Sequence, residues 1–461
     1  LMMPSGHGLL YGTGWLTTVP KHNLMAMYVP EAAAEYEWFS DRQLDPDDSS
    51  YTPAYTTIAP GGDAMIFRSG WLPDDTWLGL IGRTEPAASS HSQPDQMSLS
   101  LMSHGALLLL DPGDGRSYRS TDPAKENWLQ SIEGHNNVVI YDDDLQEYVG
   151  PQFQWDFDVL LDPAEVVTTL IGDTNSFVKM EGSILEGLAQ GGTDHDRRIL
   201  FVENEFFLVH DHLVSGEDKK YRQQWHFGGP ITSGDGTLTL PAAADEPILW
   251  ETTNPDGEDV ALTVQNVGGD PTYYEFAGPT NYKGGQTWDH TYVRVAVLAD
   301  EYHYFTLLLP WLGIDSEPIA TVLEDDDDLR LVEVDLNGEP IQLALNTTQG
   351  VVALDTLASD ALLSASDDAT WLFLAEGSIL ETDTGPAVWS SCHLDALNME
   401  VGANLQGWLD REPLPCTLEV TWDTSPTLVI VDGVATDDWT WDEGLGTVTL
   451  DPAPLESFSI E

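Results

Sequence analysis

From Met97 onward, short runs in which apolar and polar residues alternate recur along this chain, separated by clusters of Gly, Pro, Asn and Asp. The clearest are Met97-Ser-Leu-Ser-Leu101, Thr237-Leu-Thr-Leu240 and Leu329 to Val334. A period of two sends successive side chains to opposite faces of an extended strand, so each run reads as a strand with one buried face. Uninterrupted apolar runs, Ala106 to Leu110 and Val138 to Ile140, fit strands covered on both faces in the middle of stacked sheets. Helical character is confined to the beginning, where Asn23 to Phe39 is rich in Ala and Glu and is interrupted by Pro30. The expected fold is therefore all-β: a large antiparallel β-sandwich followed by a smaller C-terminal β module. The expected division is a linker segment with a short helix at 1–55, the large sandwich at 56–315 and the small module at 316–461.

A chain of 461 residues with 41% hydrophobic content can bury more than one core. No apolar run approaches the roughly 18–20 residues a membrane-spanning helix needs, so no span is expected. Leu1 to Gly14 lacks the basic start and apolar middle of a secretion signal, and any such signal is expected to have been removed or to belong to a longer precursor. The charge balance is more restrictive. Seventy-eight acidic residues against seventeen basic ones give a formal charge of −61, and only six of the basic residues are Lys. That balance speaks against nucleic acid as a partner, because phosphate binding needs basic patches. It suits a high-salt habitat: at about 1 M salt the Debye length falls to roughly 3 Å, and repulsion between surface carboxylates is screened. An ordinary acidic secreted protein is the other reading.

Cys392 and Cys416 lie close enough in sequence to form a disulfide, which would suit an exported protein; two buried free thiols satisfy the spacing equally. The run Glu324-Asp-Asp-Asp-Asp328 has no ordered ligand pattern for calcium and reads as a solvated turn. Asn346-Thr-Thr348 fits a glycosylation acceptor, a triplet common by chance.

Four segments carry the chemical information: Phe67-Arg-Ser-Gly-Trp71, Ser90-His-Ser-Gln-Pro-Asp95, Leu110-Asp-Pro-Gly113 and Gly134-His-Asn-Asn-Val138. A later stretch, from Arg197-Arg-Ile-Leu200 through His210-Asp211 to Gln224-Trp-His226, follows them. Their order over about 160 residues resembles the β-domain of heparinase II/III-like polysaccharide lyases. The resemblance implies β-elimination on a uronate-containing polysaccharide: a base removes the proton beside the carboxylate, and an acid protonates the leaving glycosidic oxygen. It places His91 and Tyr118 in proton transfer. It implies a zinc site at Gln93, Asp111 and His135, but Gln93 stands where the family has a His. An amide oxygen is a poor zinc donor, so weak binding or none is expected, with Asp111 and His135 able to pair directly instead. Calcium is left open.

The stretch between Asp111 and His135 holds Arg116, Arg119 and Lys125, a notable share of so few basic residues, and with Arg68 they are candidates for binding an anionic polysaccharide. The bland alternative has them satisfying Asp114, Asp122 and Glu126. His210 and His212, on alternate positions of one strand, share a face and can chelate together, although such residues are more often half-buried strand positions with hydrogen-bond partners. His226 belongs to the same group of strand histidines.

The family's helical α/α-toroid, which supplies further catalytic groups, has no counterpart in this sequence. Three readings follow. The first is a lyase half completed by a toroid-bearing partner chain or precursor. The second is a non-catalytic carbohydrate-binding protein. The third is a structural subunit of an extracellular assembly formed by self-association. All three place the chain outside the cytoplasm, secreted, periplasmic or extracellular.

Overall fold

The structure is a computed structural model that describes residues 7–8, 17–18 and, with interruptions, 56–460; the longer interruptions are 59–63, 83–94, 150–163, 185–191, 230–234, 411–415 and 451–456. The helix expected at 23–39 lies outside the described residues, as do His91, Gln93, Arg116 and Arg119.

A meander opens the described chain. Strands β1 (Ala64–Arg68), β2 (Trp77–Ile81), β3 (Leu99–Ser103) and β4 (Ala106–Leu109) pair in sequence order, all antiparallel, with Thr57–Ile58 at the outer edge. β3 and β4 are joined by the two-residue turn His104-Gly105, both with positive φ, which matches the twist of the flanking strands. The run from Met97 begins as a strand only at Leu99, because Met97 itself takes φ 58 in the preceding turn.

A short helix α1 (Pro123–Leu129) follows, capped by Asp122, with Pro at its first turn. α1 lies outside the N-terminal segment to which helical character is expected to be confined: seven residues are too few to display an amphipathic period, and only the Asp-Pro cap announces it.

Among the described residues eleven strands form the next sheet, including β5 (Val138–Asp142), β6 (Glu165–Ile171), β7 (Ser176–Ile184), β8 (Thr193–Val202), β9 (Phe206–His226), β10 (Asp259–Val267), β11 (Thr272–Tyr282) and β12 (Gln286–Leu312). β9 and β12 pair antiparallel along their lengths, with the register broken between Val214 and Lys219. Gln223 Nε2 nevertheless donates to Asp211 Oδ2 at 2.8 Å, across twelve residues of the same strand. At about 3.3 Å per residue a straight strand would hold them roughly 40 Å apart, so the pair must fold over at the break. The halves thereby enter two layers: the first half of β9 lies beside β8, and the second half beside β5.

Alternation along β9 then assigns the cores. Phe207, Val209, Leu213, Tyr221 and Trp225 point between the layers and pack with the meander's Leu78, Leu101 and Leu108. Phe206 and Leu208 point the other way, into a second cluster with Val332, Leu343 and Phe373 of the C-terminal sheet, which runs from Ile319 to Ile460. Both faces of this half of β9 are thus covered, which is why Phe206-Phe-Leu-Val209 is an unbroken apolar run. Burying each such side chain contributes roughly 1.5–3 kcal/mol. Ala106 to Leu109 and Val138 to Ile140 are buried throughout, as two-sided strands require.

The C-terminal sheet holds the Cys392–Cys416 pair as a disulfide. Its acidic run closes a hairpin, where Asp326 Oδ1 accepts the backbone N–H groups of Asp328 and Leu329. Asn346 is turned inward, donating from Nδ2 to the Gly350 carbonyl at 2.9 Å, so its amide is not presented for glycosylation in the folded chain.

Candidate functional site

The turn after β4 is built by its own residues. Asp111 Oδ1 accepts the Gly113 N–H at 3.0 Å, and the Pro112 carbonyl accepts Asn281 N–H at 2.8 Å. Gly113 sits at φ +95, and a Cβ there would lie 2.3 Å from the Asn281 carbonyl oxygen, so only glycine fits. The other oxygen of Asp111 is left facing His135, which follows α1 and a single 3-10 turn, Ile132–Gly134. Asp111 Oδ2 and His135 Nδ1 are 3.0 Å apart, both side chains buried. Burial pushes the Asp111 carboxyl up, against the pull of His135.

Asn136 fastens this junction. Its Nδ2 donates to the carbonyls of Leu99 at 2.8 Å and Leu110 at 2.9 Å, its Oδ1 accepts the His226 N–H at 2.7 Å, and its own N–H reaches Ser98 Oγ at 3.1 Å. Beneath it lies a buried ion pair between adjacent strands. Arg197 of β8 donates from Nε and Nη2 to the two carboxylate oxygens of Asp211 on β9, at 2.6 and 2.8 Å. Its Nη1 donates to the carbonyls of Met97 and Asn136, at 2.5 and 2.9 Å. One guanidinium therefore grips both the turn leading out of residues 83–94 and the turn bearing His135. Burial alone would raise the Asp211 carboxyl, but Arg197 and then His195, 2.8 Å away, hold it far below the usual carboxylate range.

On the outer face of the second layer a run of polar groups leads away from His135. Gln224 Nε2 donates to the Ile132 and His135 carbonyls at 3.2 and 3.1 Å, and its Oε1 accepts Arg294 Nε at 2.7 Å. Arg294 Nη2 also reaches Glu133 at 3.0 Å. Beside them His226 Nδ1 and His290 Nε2 are 2.8 Å apart, and His290 Nδ1 lies 2.8 Å from Thr280 Oγ1. Burial holds His226 well below the usual imidazole range and brings His290 down to about 3, so both are neutral at pH 7. Trp128 of α1 covers them, its ring 5.8 Å from His226 and 6.0 Å from His290. It lies so close to β11 that a Cβ on Gly278 would come within 2.6 Å of the indole. The face continues with Arg294 over Phe276 and Tyr292, and Arg222 over Tyr141 and the exposed Tyr274.

Half-buried Tyr118 joins this group, its hydroxyl donating to the Thr280 carbonyl at 3.3 Å. Lys125 lies 5.2 Å above the Tyr118 ring and pairs with Asp289 at 3.1 Å. Arg68 is only 3% exposed, in β1 opposite Trp77. His210 and His212 occupy the first half of β9, away from His226 in the second.

The residues fit a zinc ion poorly. Asp111 and His135 offer two donors, and among the described residues no third imidazole, thiolate or carboxylate closes on them within ligand distance. Protein zinc sites use at least three protein ligands. His226 does not complete the set either among the described residues.

Stacked antiparallel sheets carry an Asp–His junction at the end of a folded-over strand pair, with an arginine-and-aromatic face beside it. Residues 68–279 match the family model described as heparinase II/III-like, C-terminal. A heparin-sulfate lyase of Bacteroides stercoris is 24% identical over 155 residues, which is 33% of this chain and 20% of that protein. The heparan sulfate lyase HepC of Pedobacter heparinus superposes with a TM-score of 0.57 at 17% identity, covering 75% of this chain and 51% of that one. A heparinase III structure gives 0.51 at 16% identity, covering 73% and 50%. The chain thus spans about half the length of these solved structures, and at such identities the likeness is one of fold.

Asn136, Arg197, Asp211, Thr280, His290 and Arg294 were not among the site residues expected from sequence. Asn136, Arg197 and Asp211 do lie inside the motif segments that carried the family resemblance, so a signal existed for them. His290 and Thr280 had none.

Proposed function

We propose that this chain is the β-domain portion of a polysaccharide lyase acting by β-elimination on a uronate-containing polysaccharide, completed by a toroid-bearing partner chain or precursor half. The observation that carries the reading is the meeting of the Asp111 and His135 turns beside Tyr118, Thr280 and the neutral His226–His290 pair. A phenol held at the rim of such a face is placed to pass a proton to a leaving glycosidic oxygen, and His91 is the companion group for the proton beside the carboxylate. Arg116, Arg119 and Lys125 would hold the anionic chain against an otherwise repelling surface, with Arg68 supporting from below. The Asp111–His135 hydrogen bond takes the place of a metal as the fastener of the two turns. The disulfide supports a secreted or extracellular location.

The engagement of Lys125 by Asp289 favours a second reading, a non-catalytic carbohydrate-binding or structural subunit. Absorbance from unsaturated uronate on alginate, heparin-like and ulvan-like polymers in high salt decides between them. With the completing half present, product should accumulate, and Tyr118→Phe should lower its rate by about 100-fold or more. No product with or without that half, alongside glycan binding, rejects the lyase reading.

The charge of −61 leads to a separate proposal, adaptation to high salt. The melting temperature is expected to rise steadily between about 0.1 M and 1 M NaCl as the Debye length falls from about 10 Å to 3 Å. A melting temperature indifferent to salt removes this proposal.

A further inference from the structure

Outside the candidate site, one group of side chains on the first half of β9 and the second half of β12 is arranged as ligands. His212 and His303 are directly opposite in the β9–β12 register, and Glu301 precedes His303 by two residues, so all three side chains emerge on one face. One ligand atom from each lies within 4.8 Å of the others. A single carboxylate oxygen, Glu301 Oε1, is 2.8 Å from His212 Nε2 and 3.9 Å from His303 Nε2. We propose that His212, Glu301 and His303 form a binding site for a divalent first-row transition ion, with Zn²⁺ the best-suited occupant.

Two imidazoles and a carboxylate are a zinc donor set that leaves a fourth position for water or a further ligand. The exposures fit that open position: Glu301 is 57% exposed, His212 24% and His303 15% in their side chains. The inner side is held firmly. Buried His210 places Nε2 at 2.9 Å from His303 Nδ1, which orients the ring and leaves Nε2 of His303 for the ion. The His212 and His303 rings stack 4.1 Å apart and nearly parallel, so a small tilt of each about its Cβ closes both nitrogens onto one ion. Arg330 of the C-terminal sheet, donating to the His303 carbonyl, adds a positive charge behind the site. That charge limits affinity and is opposed by the Glu301 carboxylate in front.

The location gives the ion a role. Val214 pairs with Glu301 immediately before the register break, so the three ligands lie where β9 and β12 fold from one layer into the other. An ion there ties the two strands together at their bend, on the side that meets the C-terminal sheet. It shares no residue with the Asp111–His135 junction, so it stands or falls independently of the proposed lyase activity.

Equilibrium dialysis of the full chain against Zn²⁺ in buffered NaCl, followed by elemental analysis, tests the site. About one zinc per chain is expected, with affinity reduced about tenfold or more in His212→Ala and in Glu301→Gln and retained in His135→Ala. Both ligand substitutions are at partly exposed positions, and circular dichroism of each variant verifies its fold. Cobalt(II) substitution gives a second readout: visible d–d bands of a four-coordinate N/O site, absent from His212→Ala. Failure to bind zinc overturns the proposal, and so does binding that both ligand variants leave unaltered or that His135→Ala alone abolishes.

Discussion

Replacing Asn136 with Ala is expected to lower the unfolding free energy by roughly 4 kcal/mol, measured by urea denaturation in high salt. The side chain satisfies the Leu99 and Leu110 carbonyls and the His226 N–H, all in a buried setting. Each group left without a partner costs about 1–3 kcal/mol. A loss of that size is rare for a single substitution. The effect should also reach the site, because Asn136 ties the Asp111 turn to the His135 turn. Asn136→Asp should do little better, since its second oxygen would face two carbonyls that need donors. A loss below about 1 kcal/mol would mean that water enters and restores the bonds, and the fastening role would be wrong.

Arg197→Met should be comparably severe, about 3–5 kcal/mol, because it strands the Asp211 carboxylate in the interior. Its pH dependence should differ in sign from the wild type. In the wild type the folded Asp211 carboxyl lies below its unfolded value of about 3.9. Its stabilisation is therefore complete above that value and lost as pH falls through the folded one. Without Arg197, burial dominates and raises the folded carboxyl. The variant then carries a penalty at neutral pH that is relieved as pH falls through the raised value. Asp111, also raised by burial, is present in both proteins and cancels in the difference. Stability measured from pH 7 down to about pH 4 should thus show the gap narrowing. The double substitution Arg197→Met with Asp211→Leu should recover much of the loss, since an apolar pair of similar volume often replaces a buried ion pair at little cost. A gap that widens on acidification would contradict this account.

Several features of the site were legible because their causes are local. The Asp-Pro-Gly turn after β4 is set by residues two apart: an Asp that bonds the Gly113 N–H and a glycine that takes positive φ. The two-sided strand Ala106–Leu109 announced itself as an apolar run. Other features depend on residues that no pattern connects. Tyr118 meets Thr280 across 162 residues, and His210 meets His303 across 93. The fold-over of β9 was equally hidden. It rests on a register break marked in the sequence only by Gly216, at φ +71, which does not say how the strands fold over to bring Gln223 to Asp211.

What the sequence by itself determined was the all-β character, the strand faces and the turn chemistry, because each is fixed by the steric and hydrogen-bonding preferences of residues only a few positions apart. It also carried the resemblance to the heparinase II/III-like β-domain, through motifs whose order needs no geometry. Only the tertiary structure decided that Asn136 and Arg197 hold the Asp111–His135 junction together, and that histidines of two distant strands converge at the bend. Those contacts depend on which strands pair and where they fold over. That choice is made by the burial of the whole core between the layers and not by any segment of it.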